Sequence, residues 1–205
     1  MSDTAAGEIV HDPDSRDHFE VLGLPRRLRM DLRQLADHYY RLSRRYHPDF
    51  HQMAPPSERV ASLRRTAAIN DAYATLRDPA SRGRWWLERQ GGRLGDNPTV
   101  PPDLAELVFE VQDALAEYRE NGDEALADQV RARRAEVQRV LDARMAALER
   151  NFARWDMLPA DDASPEARRG LLAELGGILA GISYARTLLR DTDRVLEKAG
   201  EARPR

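Results

Sequence analysis

The chain has 205 residues, 41% of them hydrophobic and 33% charged, with a formal net charge of −3. This balance excludes both a membrane-embedded protein and a disordered chain of high net charge, and the length suits one large or two small domains. There is no cysteine, which excludes a disulfide framework, a thiolate metal site and a cysteine nucleophile and fits a reducing, cytoplasmic compartment.

Residues 1–16 carry four acids and one arginine around no apolar core, unlike a secretory signal, and are expected to be flexible. Residues 17–23 read as a short helix stopped by Gly23 and Pro25. Asp31 is the expected N-cap of a helix running to about Tyr46, with Leu32, Leu35, Tyr39, Leu42 and Tyr46 as its stripe. Pro48 pushes His47 out of the helical region and ends it. After a loop through Pro55 and Pro56, Ser57 is the expected cap of the next helix. Its stripe reads Val60, Leu63, Ala67, Ile69 or Asn70, Tyr73 and Leu76, and Asp78-Pro79 closes it.

A short helix then carries Trp85, Trp86 and Leu87. Adjacent residues point ~100° apart, so one tryptophan is expected in the first core and the other against a second one. The run from Gly91 to Pro98 marks a linker. Prolines are absent from 103–158 and 166–203, which leaves room for helices at about 102–120, 123–155 and 165–199. Their short connections, at Asn121-Gly122 and near Pro159, imply an antiparallel bundle. Trp155, Met157 and Leu158 are expected to close its end. Gly176, Gly177 and Gly181 are expected to let helices approach closely, with a kink or break as the alternative. The expected fold is all-α. A helical-hairpin domain occupies 17–91, a linker 92–101 and a three-helix bundle 102–200.

Charge separates along this division. Residues 17–90 hold 14 arginines and 9 acids, a balance of +5, whereas 96–205 hold 16 basic and 22 acidic residues, a balance of −6. The two parts are therefore expected to meet different partners.

The most informative spot is His47-Pro48-Asp49. Arg41, Arg44 and Arg45 precede it at i, i+3 and i+4, sharing one helix face away from the Leu35–Leu42 stripe. A cationic face thus ends in a turn that presents an imidazole and a carboxylate. An ordinary turn on a solvated face is the bland alternative. Acid–base catalysis lacks a second carboxylate, a nucleophile and a phosphate-cradling loop. His47 and His51 lack further ligands for a metal shell. An enzyme is therefore not expected, nor is a cofactor. Nucleic-acid binding by the arginine-rich part would be opposed by the acidic half.

Four elements in order resemble the J-domain family. They are Asp17-His18-Phe19-Glu20-Val21-Leu22-Gly23-Leu24, the His47-Pro48-Asp49 loop after a basic helix, the run from Ile69 to Pro79, and Arg82. The resemblance implies docking on a DnaK-type chaperone and stimulation of its ATPase, with His47, Pro48, Asp49, Arg41, Arg44 and Arg45 in contact. The Gly/Phe-rich tract and the zinc module of general DnaJ proteins are missing. Arg84-Trp85-Trp86-Leu87-Glu88, a short linker and an acidic helical region are instead similar to the HscB type of J protein. The missing tetracysteine segment of some eukaryotic members favours a bacterial form. That similarity implies an HscA-type chaperone and an IscU-type iron–sulfur scaffold as partners; a J protein serving another client is the alternative.

By this resemblance the scaffold site lies on Leu104, Leu107, Val108, Phe109, Glu110 and Asp113, with Tyr184 from the last helix. The helical wheel sets Leu107, Val108, Val111, Leu115 and Tyr118 within about 60° of Leu104, and Phe109 near 140° among Glu106, Asp113 and Ala116. An aromatic on that polar side is a partner anchor or a scattered surface residue. Tyr184 is equally readable as a core tyrosine.

Overall fold

The computed structural model describes residues 15–51, 53–94, 100–159 and 164–201. The flexible terminus expected at 1–16 falls almost wholly outside them, as does much of the linker expected at 92–101. The described residues are helical throughout, with no strand among them. Contacts divide the chain into two compact units, Met1–Trp85 and Trp86–Arg205. The division falls inside a helix, between the adjacent tryptophans, six residues before the boundary expected at 91.

In the first unit, α1 (His18–Leu22) is capped by Asp17, whose side chain accepts from the Phe19 amide. Its other carboxylate oxygen pairs with Arg26 Nε at 2.8 Å, so this buried acid is paired rather than orphaned. Gly23 ends α1 at φ 62°, where a side chain would be strained, and its N–H and that of Leu24 return to the Glu20 and Phe19 carbonyls. Helix α2 (Leu32–Tyr46) begins at Asp31, which caps the Arg33 amide. Helix α3 (Pro56–Arg77) returns against α2, and α4 (Pro79–Arg89) follows Asp78.

The core of this unit is built from Phe19, Leu22, Leu28, Leu35, Leu42, Ile69, Ala72 and Leu76. Tyr39 stacks on Tyr73 with centroids 4.1 Å apart and donates to Asn70. Trp85 stacks on His18 and meets the edge of Phe19. Arg82 is buried because its guanidinium donates to the Leu76 carbonyl, an acceptor left open at the end of α3.

Two expectations fail in α3. Ser57 is not its cap: the helix begins at Pro56 with Pro55 as N-cap and no side-chain cap bond, because proline at N1 has no N–H that needs satisfying. The buried face is also rotated from the expected stripe. Ser62, Ile69, Ala72 and Leu76 face inward, while Val60, Leu63 and Ala67 lie exposed. Leu32 of α2 is exposed as well. Burial follows the bonds that Ser62 and Thr66 make toward α2, described below, and not apolarity alone.

In the second unit a single 3-10 turn (Pro102–Leu104) leads into α5 (Ala105–Asn121), followed by α6 (Glu124–Asp156) and α7 (Pro165–Glu201). Gly122 in the left-handed region ends α5, and Asp123 caps α6 through the Leu126 amide. Val111, Ala114, Leu115, Val130, Val137, Ala185, Leu188 and Leu189 share a buried core, with Leu107, Val108, Tyr118, Leu141 and Tyr184 packed partly buried against it.

Trp86 meets Trp155 edge to face in this unit. Met157 is exposed and does not close the bundle end, since the chain turns at the end of α6 before its side chain can face inward. Helix α7 runs unbroken through its glycines. A Cβ at Gly181 would come within 2.9 Å of Arg144 Nε, so close approach is real there, whereas nothing lies within 4 Å at Gly177.

Candidate functional site

The site begins with the way α2 ends. Its last carbonyls have no intrahelical partner, and that of Tyr46 accepts from both Ser62 Oγ and Thr66 Oγ1, each at 2.8 Å. Two hydroxyls on successive turns of α3 thus hold the point where the chain leaves α2. The Tyr46 ring lies 5.5 Å from the Arg45 guanidinium and 5.7 Å from that of Arg65, adding cation–π attraction at the same place.

Beyond Tyr46 the backbone turns extended at His47 (ψ 131°) and closes a single 3-10 turn over Pro48–His51. Phe50 N–H returns to the His47 carbonyl at 3.1 Å, and the Asp49 amide donates to His47 Nδ1 at 3.3 Å. The imidazole also lies 3.5 Å from the Asp49 carboxylate, with their side chains 51% and 70% exposed. The turn is therefore an ordered projection whose acid faces solvent.

Arg41, Arg44 and Arg45 are exposed on α2. His38 Nδ1 lies 2.8 Å from the Leu22 carbonyl and 3.1 Å from Arg41 Nη2. Only a protonated Nδ1 bonds that carbonyl, so the Arg41 contact is packing rather than a second hydrogen bond. The structure thus places Arg41, Arg44 and Arg45 exposed on α2, and His47, Pro48 and Asp49 in the turn that follows its C-terminal end. Sequence reasoning missed two exposed aromatics there. Tyr40 lies one turn before Arg44, and Phe50 sits edge-on to His47 with centroids 6.1 Å apart. The signal for Tyr40 was its position at i−4 from Arg44, on the polar face and off the Leu35–Leu42 stripe.

Replacing Ser62 by alanine and Thr66 by valine together is expected to cost about 1–3 kcal/mol, because the Tyr46 carbonyl loses both donors. The Asp49 and Phe50 amides should then exchange with solvent faster. Unchanged protection of those amides would show that the turn holds itself.

The residues expected on the second surface are not gathered into one open patch. Leu104 is 5% exposed and belongs to the bundle interior, which removes it from any contact surface. Leu107, Val108 and Tyr184 are each partly buried against the core. Glu110 is held 3.0 Å from Arg133, which also pairs with Glu136 at 2.9 Å. The Glu136 hydrogen bond, then the charges of Glu110 and Glu136, raise the arginine above its ordinary value. Phe109 is 71% exposed, on the same side of α5 as the exposed Glu106, Gln112 and Asp113. The outward group is thus Phe109 and Asp113, separated by the turn of α5 from Leu107, Val108 and Tyr184.

Comparison with known proteins agrees with this geometry. A family model described as the DnaJ domain matches residues 17–85. A "Co-chaperone protein HscB homolog" of Aeromonas salmonicida is 34% identical over 108 residues, covering 52% of this chain and 63% of that protein. One from Aeromonas hydrophila is 36% identical over 95 residues, covering 46% and 55%. The matched region thus spans less than two thirds of either relative. Among solved structures, the chaperone HscB from Vibrio cholerae aligns with a TM-score of 0.63 at 23% identity, covering 89% of this chain and 99% of that one. The human co-chaperone protein HscB aligns at 0.65 and 22%, covering 92% and 85%. At these identities the structural likeness shows the fold. Residues 17–85 thus carry a DnaJ domain, and the chain is similar in sequence to HscB homologues and shares the fold of solved HscB structures.

Proposed function

We propose that this protein is a co-chaperone that stimulates the ATPase of a DnaK/HscA-type chaperone and delivers to it an IscU-type scaffold for iron–sulfur cluster assembly. It acts in the cytoplasm and performs no covalent chemistry itself. The observation that carries this reading is the exposed, internally bonded His47-Pro48-Asp49 turn at the end of an arginine-lined helix, inside a unit that matches the DnaJ domain.

The exposed arginines of α2 steer the unit toward an acidic surface on the chaperone, an effect on association rate that weakens with salt. At the contact, Asp49 offers two carboxylate oxygens to a partner arginine, a bidentate bond that fixes orientation as well as charge. The Ser62 and Thr66 bonds to Tyr46 hold the turn in place beforehand, which limits the entropy lost on docking. The second unit supplies the client contact through Phe109, an apolar anchor ringed by Glu106 and Asp113. Glu110 is held by Arg133 and shapes that surface rather than reaching out.

The deciding measurement is ATP turnover by the chaperone as scaffold is titrated against a fixed amount of this protein. Synergy, with turnover above the product of the separate effects, is expected. Stimulation by this protein with no response to scaffold would mean that it serves another client. No stimulation at all would end the co-chaperone reading.

A further inference from the structure

Helix α3 is apolar on two opposite sides. One side is buried: Ser62, Ile69, Ala72 and Leu76. On the wheel, Val60, Leu63, Ala67 and Ala74 cluster nearly opposite to these, at the i, i+3, i+7 and i+14 spacing of a second stripe. All four are exposed, Val60 by 53% and Leu63 by 56%. A helix in a small domain ordinarily turns charge to water on the side away from its core, so large apolar residues at helical spacing there mark a contact surface.

The rims say what kind of contact. Arg59 lies about 40° to one side of Leu63 and Arg64 about 100° to the other, and both are exposed. Asp71, near the far end, is directed to His18 at 3.8 Å. The first half of α3 is thus an apolar seam between two cations, and Ala67 and Ala74 leave room for another backbone to approach. Phosphate would gain nothing from the leucine and valine at its centre. Two large side chains on a rigid helix are also too little apolar surface to hold a bilayer. What fits is a helix with an apolar stripe and carboxylates beside it.

We infer that the outward face of α3, Val60, Leu63 and Ala67 between Arg59 and Arg64, is a docking face for an acidic amphipathic helix of a partner protein. It is distinct from the arginine face of α2 and from Phe109.

The test is nuclear magnetic resonance of the labelled full chain. The probe is a designed helical peptide with leucines at i, i+3, i+4 and i+7 and glutamates elsewhere; its twin carries lysines in place of the glutamates. Amide shifts confined to residues 56–74 are expected with the glutamate peptide and not with the lysine twin. The exposed Leu63→Glu change should leave the circular dichroism intact and weaken peptide binding about tenfold or more, the scale for losing one buried leucine from a contact. Arg59→Glu with Arg64→Glu should weaken it likewise and flatten its salt dependence. Absence of shifts in 56–74, or equal binding of both peptides, would overturn the assignment. So would a dimer in sedimentation that Leu63→Glu dissociates, or binding to phosphatidylserine vesicles in place of the peptide, since each names a different occupant.

Discussion

Asp49→Asn is expected to bring stimulation of the chaperone ATPase down to the basal rate while leaving scaffold binding unchanged. The substitution keeps the size and removes the charge. In this protein the carboxylate is 70% exposed, so its loss should change folding stability by no more than about 0.5 kcal/mol. In the proposed complex the same group would be buried against a cation. Removing one partner of a buried charge pair costs about 2–5 kcal/mol, or roughly thirtyfold and upward in affinity. That contrast makes the prediction clean: thermal melting should match the unsubstituted protein, and turnover should not. Full stimulation by Asp49→Asn would refute the docking role of the turn. Partial rescue at low salt is expected, because the arginines of α2 still steer association.

Phe109→Ala is expected to weaken binding of the scaffold by about tenfold to a hundredfold, the range for an aromatic anchor at the centre of an interface. Stimulation of the ATPase in the absence of scaffold should be untouched, since the residue lies on α5 in the other compact unit from the His-Pro-Asp turn. The ring is 71% exposed, so its removal takes little from the core of the bundle. Calorimetric titration of scaffold into both forms reads the difference directly. Equal affinities would leave Phe109 a scattered surface residue. Tyr184→Ala makes a useful contrast, because that ring packs against the bundle core. Its truncation should lower thermal stability whether or not it touches the scaffold.

Much of the first unit is legible in the chain. Gly23, Asp31 and Asp78 delimit its helices, as Gly122 does in the second unit, through local chemistry, a short acceptor side chain or a glycine free to adopt positive φ, and each acts within a few residues of itself. The His47-Pro48-Asp49 turn is legible for the same reason, because Pro48 alone is enough to stop α2. The inward face of α3 was not. Val60 and Leu63 are more apolar than Ser62, and a reading by hydropathy puts them inside. Burial went instead to the serine, whose hydroxyl satisfies the Tyr46 carbonyl sixteen residues earlier. The proposed scaffold surface shows the same limit. Leu104, Leu107 and Val108 are apolar in the pattern of a binding helix and in the pattern of a core helix, and the two readings diverge only once α7 supplies Tyr184 and the rest of the core.

The amino-acid sequence by itself therefore determined an all-helical fold over the described residues, where most of its helices start and stop, and a basic helix ending in an exposed His-Pro-Asp turn. All of these are set by propensity, capping and proline over a few neighbouring residues. Only the tertiary structure decided which side of α3 is hidden, that Glu110 is tied to Arg133, and that Phe109 stands out while Leu104 is enclosed. Those outcomes depend on hydrogen bonds and packing between residues distant along the chain, whose partners no local pattern names.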